Sequence, residues 1–192
     1  MTIFTLLWAT VWARKHMSIR RRRAYATDRT LADTNRRYRL LSTPLFFMQT
    51  ALGIAPLWSQ SDWLLPIHNS ETFRWLGILL ITLGTLLYFS ALKFLGDNYS
   101  PCFDSHLPRT HVTGGPYRLI RHPMYLGKVI VGAGFVLLSG TGWFVPALLW
   151  LIAEMIRSIK NEERTLGKEL PGYLEYKLRT SAIVPTLAIN RP

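Results

Sequence analysis

A single cysteine, Cys102, stands among the 192 residues. It excludes an intramolecular disulfide and any metal cluster built from cysteines alone, and leaves the thiol as a buried or loop group. Acidic residues are scarce as well: 11 Asp and Glu face 23 Lys and Arg, for a formal net charge of +12. The stretch 59–72 contains Asp62 and Glu71 but no Lys or Arg, and the stretch 139–142 has no charge at all. No internal repeat is visible, and the one low-complexity tract is the run Arg20 to Arg23.

What the chain does have is apolar length. Hydrophobic residues make up 49% of it and seven are Trp, too much in long stretches for an ordinary soluble domain. Five apolar segments stand out: Thr2 to Ala13, Leu40 to Trp58, Trp75 to Leu92, Pro123 to Leu138 and Trp143 to Ile156. About 20 residues rising 1.5 Å each cross a hydrocarbon layer of roughly 30 Å, a length that the second and third approach. The first is short, and Arg14 and Lys15 follow it, the reverse of a secretory signal, so it is expected to remain in the protein. The fourth carries Lys128 one turn in, where a long stem lets an ammonium snorkel. Only Ser139, Gly140, Thr141 and Gly142 separate the fourth from the fifth, which predicts a tight antiparallel hairpin. The expectation is one all-α integral membrane domain over 1–192 with about five transmembrane helices. Residues 1–92 hold N-terminal helices and a basic loop, and 93–192 the polar site.

Ten of the 23 Lys and Arg crowd between Arg14 and Arg39, directly after an apolar segment. Nucleic-acid binding would interleave basic side chains with exposed aromatics on a soluble fold, whereas these aromatics sit inside the apolar runs. The basic loop therefore reads as a patch for membrane lipids, anionic ones above all. Because cytoplasmic loops carry the excess of Lys and Arg, the segments 14–39, 93–121 and 157 onward are placed in the cytoplasm. The polar and titratable residues outside the first loop then gather at the cytoplasmic ends of the last three spans, open to cytosolic cofactors and, laterally, to apolar substrates.

Two stretches carry the chemistry. From 95 to 127 the chain reads LGDNYSPCFDSHLPRTHVTGGPYRLIRHPMYLG. Gly114, Gly115 and Pro116 form a turn in which backbone approaches a ligand closely. Pro123 forces His122 out of helical geometry and suits the first position of the next helix, a break expected to leave His122 and its neighbours pointing outward. The alternative is an ordinary loop-to-helix junction with His122 capped by protein. The second stretch, 157–166, reads RSIKNEERTL. Glu162 and Glu163 are about 100° apart on a helix, so they are expected to hold two targets and not to share one. The alternative is a solvated face pairing Glu163 with Lys160 or Glu162 with Lys168.

The combination of RHPMYLG at 121–127, an apolar hairpin, Arg157, the pair Glu162 and Glu163, Leu166, Tyr173 with Tyr176, and Pro185 resembles the isoprenylcysteine carboxyl methyltransferase family and its phospholipid methyltransferase relatives. The resemblance covers roughly 95–185. It implies an S-adenosylmethionine-dependent methyltransferase acting on a carboxyl or amine group of a lipid-like substrate. It further implies that Gly114, Gly115, Tyr117, His122, Pro123, Tyr125 and Glu163 bind the cofactor, while Arg157 and Glu162 face the acceptor or the transfer point. Residues five apart on an ideal helix differ by about 140°, so Arg157 and Glu162 meet only if that helix bends or ends between them. Leu170, Pro171 and Gly172 depart from the family pattern, where an aromatic followed by Gly is frequent.

Two other classes compete. Sterol-type membrane reductases using NADPH carry a similar Pro-x-Tyr-x-Gly element, but Met124 and Lys128 stand where they favour Asn and Glu. A non-enzymatic lipid-binding protein would use only the arginine loop. Asp104, His106 and His111 match no metal-ligand spacing, and Pro108 breaks the segment, so no metal site is expected.

Overall fold

The computed structural model describes residues 66–99, 108 and 110–185. The segments Thr2 to Ala13 and Leu40 to Trp58, the arginine loop, Cys102, Asp104 and His106 lie outside the described residues, as does the topology that depends on them. What is described is all-helical, with no strand beyond isolated bridges.

The first helix, α1, runs Glu71–Leu95. Glu71 in its first turn and Lys93 in its last complement the helix dipole, and Gly96 ends it with a positive φ of 51°. Its 25 residues reach about 37 Å. Among the described residues it is the helix long and apolar enough to cross a membrane. Trp75, Leu79, Leu83 and Leu86, spaced by four, four and three, form an exposed stripe along it. An apolar stripe of this kind suits a hydrocarbon solvent and not water.

Helix α2, Pro123–Ser139, starts with proline where no amide is needed and stops at Gly140 in the left-handed region. It packs antiparallel on α1 through interlocked glycines. A Cβ on Gly84 would lie 2.7 Å from the Gly127 carbonyl, and one on Gly127 would lie 2.8 Å from that of Gly84. Gly77 and Gly134 repeat the arrangement two turns away. Backbone meets backbone there, as small residues permit between membrane helices.

The hairpin forms as expected. Its turn is held by Thr141, which is buried and accepts the Trp143 amide at Oγ1 (3.3 Å). Helix α3 is Phe144–Glu169, however, and outlasts the apolar run that ended at Ile156. Arg157 to Glu169 are mostly good helix formers, and only the extended Leu170 with Pro171 stops the helix. Gly172, at φ 76°, then caps the short α4, Tyr173–Arg179. The segment 66–68 meets the hairpin turn, with the Ile67 amide on the Gly140 carbonyl at 2.8 Å. One end of the helix group thus carries this junction, and the other carries Leu95, the break at His122 and the far end of α3. The core cluster of Tyr88, Ala91, Leu92, Tyr99, Tyr117 and Met124 lies towards that second end.

Candidate active site

The approach to α2 is a short 3-10 helix, Gly115–Arg118. Gly115 has φ 55°, and a Cβ there would lie 2.5 Å from the Phe94 ring of α1. The glycine turn therefore permits close approach, but the group it approaches is Phe94. Tyr117 is buried, and its carbonyl accepts the Tyr176 hydroxyl at 2.6 Å.

The break at His122 does not point outward, contrary to the expectation from sequence. The Arg121 amide donates to the Ser181 carbonyl (2.8 Å) and the His122 amide to that of Ala182 (3.0 Å). A C-terminal segment thus supplies the partners that irregular backbone requires. Pro123 is fully buried behind it, and His122 is 6% exposed.

Both carboxylates turn to the same imidazole. Glu163 Oε1 lies 3.2 Å from His122 Nε2, and Glu162 Oε2 lies 3.7 Å from His122 Nδ1. The 100° between neighbouring helix positions does not keep the two apart, because the nitrogens on opposite sides of one ring reach both. Glu163 also takes Arg121 Nη2 at 2.7 Å, Arg121 Nε at 2.9 Å and Lys177 Nζ at 2.8 Å. Glu162 accepts the Tyr125 hydroxyl at 2.5 Å. The partners come from the break, α2 and α4, in place of a solvated pairing with Lys160 or Lys168. Arg121 and Lys177 were missed from sequence; Arg121 was within reach as the first residue of the RHP motif. Arg121 Nη1 further donates to the carbonyls of Lys177 and Thr180, tying α4 to the break.

These surroundings push two adjacent carboxylates in opposite directions. The hydrogen bond from His122 comes first among the causes that hold Glu163 far below the ordinary carboxylate range; burial opposes it, and Lys177 and Arg121 reinforce it. Burial comes first for Glu162 and raises it, against the pull of His122, Tyr125 and Lys128. Burial likewise pushes the Tyr176 phenol up to about 12.

A cavity of about 160 Å³ adjoins this cluster. Tyr117, His122, Tyr125 and Glu162 line it, together with Lys128, Tyr173 and Tyr176. The Tyr173 hydroxyl is buried and has no hydrogen-bond partner among the described residues. His111 stacks on Tyr176 at 5.6 Å between ring centroids. Gly114, Gly115, Pro123 and Glu163 stand behind the lining. Arg157 does not line the cavity: α3 runs as one helix through both Arg157 and Glu162, and the Arg157 side chain is 57% exposed with Glu154 at 3.7 Å.

Known proteins resemble this chain over much of its length. The chain is 34% identical over 129 residues to the cobalt-zinc-cadmium resistance protein CzcN of Cupriavidus metallidurans, an alignment covering 65% of the chain and 57% of that protein. It is 30% identical over 129 residues to the nickel-cobalt-cadmium resistance protein NccN of Alcaligenes xylosoxydans xylosoxydans, covering 65% and 58%. The chain thus spans less than two thirds of the length of these curated relatives. Residues 72–170 match the family described as phospholipid methyltransferase. That match takes in α1, the break at His122, α2 and α3 with both glutamates, more than half of the 192 residues, and by it the chain belongs to the phospholipid methyltransferase family.

Proposed function

We propose that this protein is a multi-pass membrane methyltransferase that uses S-adenosylmethionine and methylates a lipid-like acceptor, on a carboxyl or an amine, at the cytoplasmic membrane surface. One observation carries the reading: of two adjacent glutamates, Glu163 is consumed by cations while Glu162 faces a cavity. A cation entering there relieves the burial of the Glu162 carboxylate, and a sulfonium is such a cation.

The residues fit the cofactor in kind. The unpartnered Tyr173 hydroxyl offers a donor and acceptor, and the stacked His111 and Tyr176 continue an aromatic wall that suits a purine. The described walls enclose about 160 Å³, below the roughly 300–1,000 Å³ of pockets for ligands of this size, so they account for part of the site. When bound, the cofactor supplies an activated methyl group. Glu162, His122 and Tyr125 orient it, and Tyr117 closes the inner wall. Glu163 acts through Arg121 and His122, holding the break and α4 in register. Arg157 lies about 7.5 Å along α3 from Glu162 towards its apolar end, a position suited to an acceptor arriving from the bilayer. In-line transfer asks the protein for alignment and exclusion of water more than for a base.

The test is calorimetric binding of S-adenosylhomocysteine and NADPH to the purified full chain, paired with transfer of a labelled methyl group to lipid extracts. Binding of S-adenosylhomocysteine and not NADPH is expected, and S-adenosylmethionine, which alone carries the sulfonium, should be weakened about tenfold or more by Glu162→Gln. Binding of NADPH alone would establish the reductase alternative, and binding of neither the non-enzymatic one. The metal-resistance names of the relatives describe those proteins.

A further inference from the structure

Lys128, expected to snorkel, does otherwise. Its Nζ stands 5.2 Å from the ring centroid of Tyr125 and 5.8 Å from that of Tyr88, a residue with no exposure. A snorkelling ammonium turns away from the core towards headgroups; this one turns in, over two aromatic faces, and lines the cavity. It lies six residues beyond His122, about 9 Å further along α2 towards the apolar end. Tyr125 stands between the charges: its hydroxyl donates to Glu162 while its ring faces Lys128. The charge of Lys128 also acts on Glu162, so the cavity wall presents a carboxylate and an ammonium near each other.

We infer that Lys128 is a specificity-determining residue that anchors the anionic head of a membrane-dissolved acid, and so selects a carboxylate over an amine as methyl acceptor. The inference rests on the methyltransferase reading and names its substrate class. A sulfonium held at Glu162 and a carboxylate held at Lys128 lie on the two sides of one tyrosine, each beside its counter-charge. A protonated amine in the second position meets both Lys128 and the sulfonium, two like charges in a partly dry cavity. In the transfer, a carboxylate oxygen contributes the electron pair of the new O–CH3 bond, and the pair of the broken C–S bond returns to sulfur. The negative charge of the acceptor and the positive charge of the donor cancel, giving a methyl ester and a neutral thioether. No proton moves, so this chemistry asks for no base at the acceptor.

Binding of oleate, oleyl alcohol and oleylamine to the full chain in detergent, with and without S-adenosylhomocysteine, tests this directly. The parent is expected to prefer oleate over both neutral and cationic analogues by about tenfold or more. Lys128→Met should erase the preference and Lys128→Arg should keep it. A parent that does not prefer oleate, or a Lys128→Met variant that still does, overturns the inference. Failure of the underlying reading is separate: the parent would then bind no S-adenosylhomocysteine, whatever its preference among the three oleyl compounds.

Discussion

At the scale of single residues, the informative contrast is between Glu162 and Glu163. The Arg121–Glu163 pair has side chains 9% and 11% exposed, and removing one partner of a buried ion pair costs about 3–5 kcal/mol because the other charge is stranded. Lys177 is 42% exposed and adds little. The sign of each pH effect follows from the direction of the shift. Glu163 is depressed below its ordinary 4.5, so its contribution is fully present above that value and is lost as pH falls below it. Glu162 is raised, so its contribution is fully present below 4.5 and is lost as pH rises through its higher folded value. Glu163→Gln is therefore expected to lower the melting temperature at pH 7 and to flatten its acid limb. Glu162→Gln should not lower it at pH 7. Melting curves of both variants between pH 3 and 8 check this, and equal losses at pH 7 would contradict the division of labour. His122 and the two glutamates were legible in sequence because a proline break and an adjacent carboxylate pair are unusual together at a membrane surface. Their convergence on one ring was not, since it depends on the length of an imidazole and not on helix angles.

At the scale of elements, the hairpin and the span of α1 could be read from apolar runs, and the true length of α3 could not. An apolar run ends where lipid ends, whereas a helix ends where backbone geometry is interrupted, here at Leu170 and Pro171. The strap formed by Ser181 and Ala182 against Arg121 and His122 was also invisible, because main-chain pairing of this kind leaves no side-chain signature. The glycines carry a signal that was present but unread: Gly77 and Gly84 are seven apart, as are Gly127 and Gly134, and the two pairs face each other. Gly84→Val places side-chain atoms against the Gly127 carbonyl and should strip α1 from α2, with loss of folded protein. Gly132→Ala makes a suitable control, since its new Cβ meets only the side-chain tips of Leu148, at 3.0 Å, and Leu151, at 3.4 Å, and these can rotate away. Comparing the monodisperse yield and melting temperature of the two variants decides the point; equal tolerance would mean that the helix pair is held elsewhere.

At the scale of the whole molecule, orientation joins the sequence to the described fold. The orientation proposed from the distribution of Lys and Arg has 93–121 and the tail after 157 in the cytoplasm and 59–72 on the other side. The fold gives independent grounds for keeping these groups apart. Ile67 pairs with the hairpin turn at Gly140, while Leu95 lies about 37 Å away along α1 and His122 about 27 Å from Gly140 along α2, close to the thickness of a hydrocarbon layer. Two exposed positions then report on opposite ends: Asn69 beside the junction, and Arg179, whose side chain is 77% exposed, on α4 beside the cavity. With Cys102 replaced by serine, Asn69→Cys and Arg179→Cys should react with an impermeant maleimide from opposite faces of sealed vesicles, Arg179→Cys from the cytoplasmic one. Arg22→Cys should follow Arg179→Cys if the arginine loop lies on the same side. Labelling of Asn69→Cys and Arg179→Cys from one face would show that α1 does not cross. The lateral route from the bilayer to Lys128 would then have no basis, because that residue would no longer lie at lipid depth.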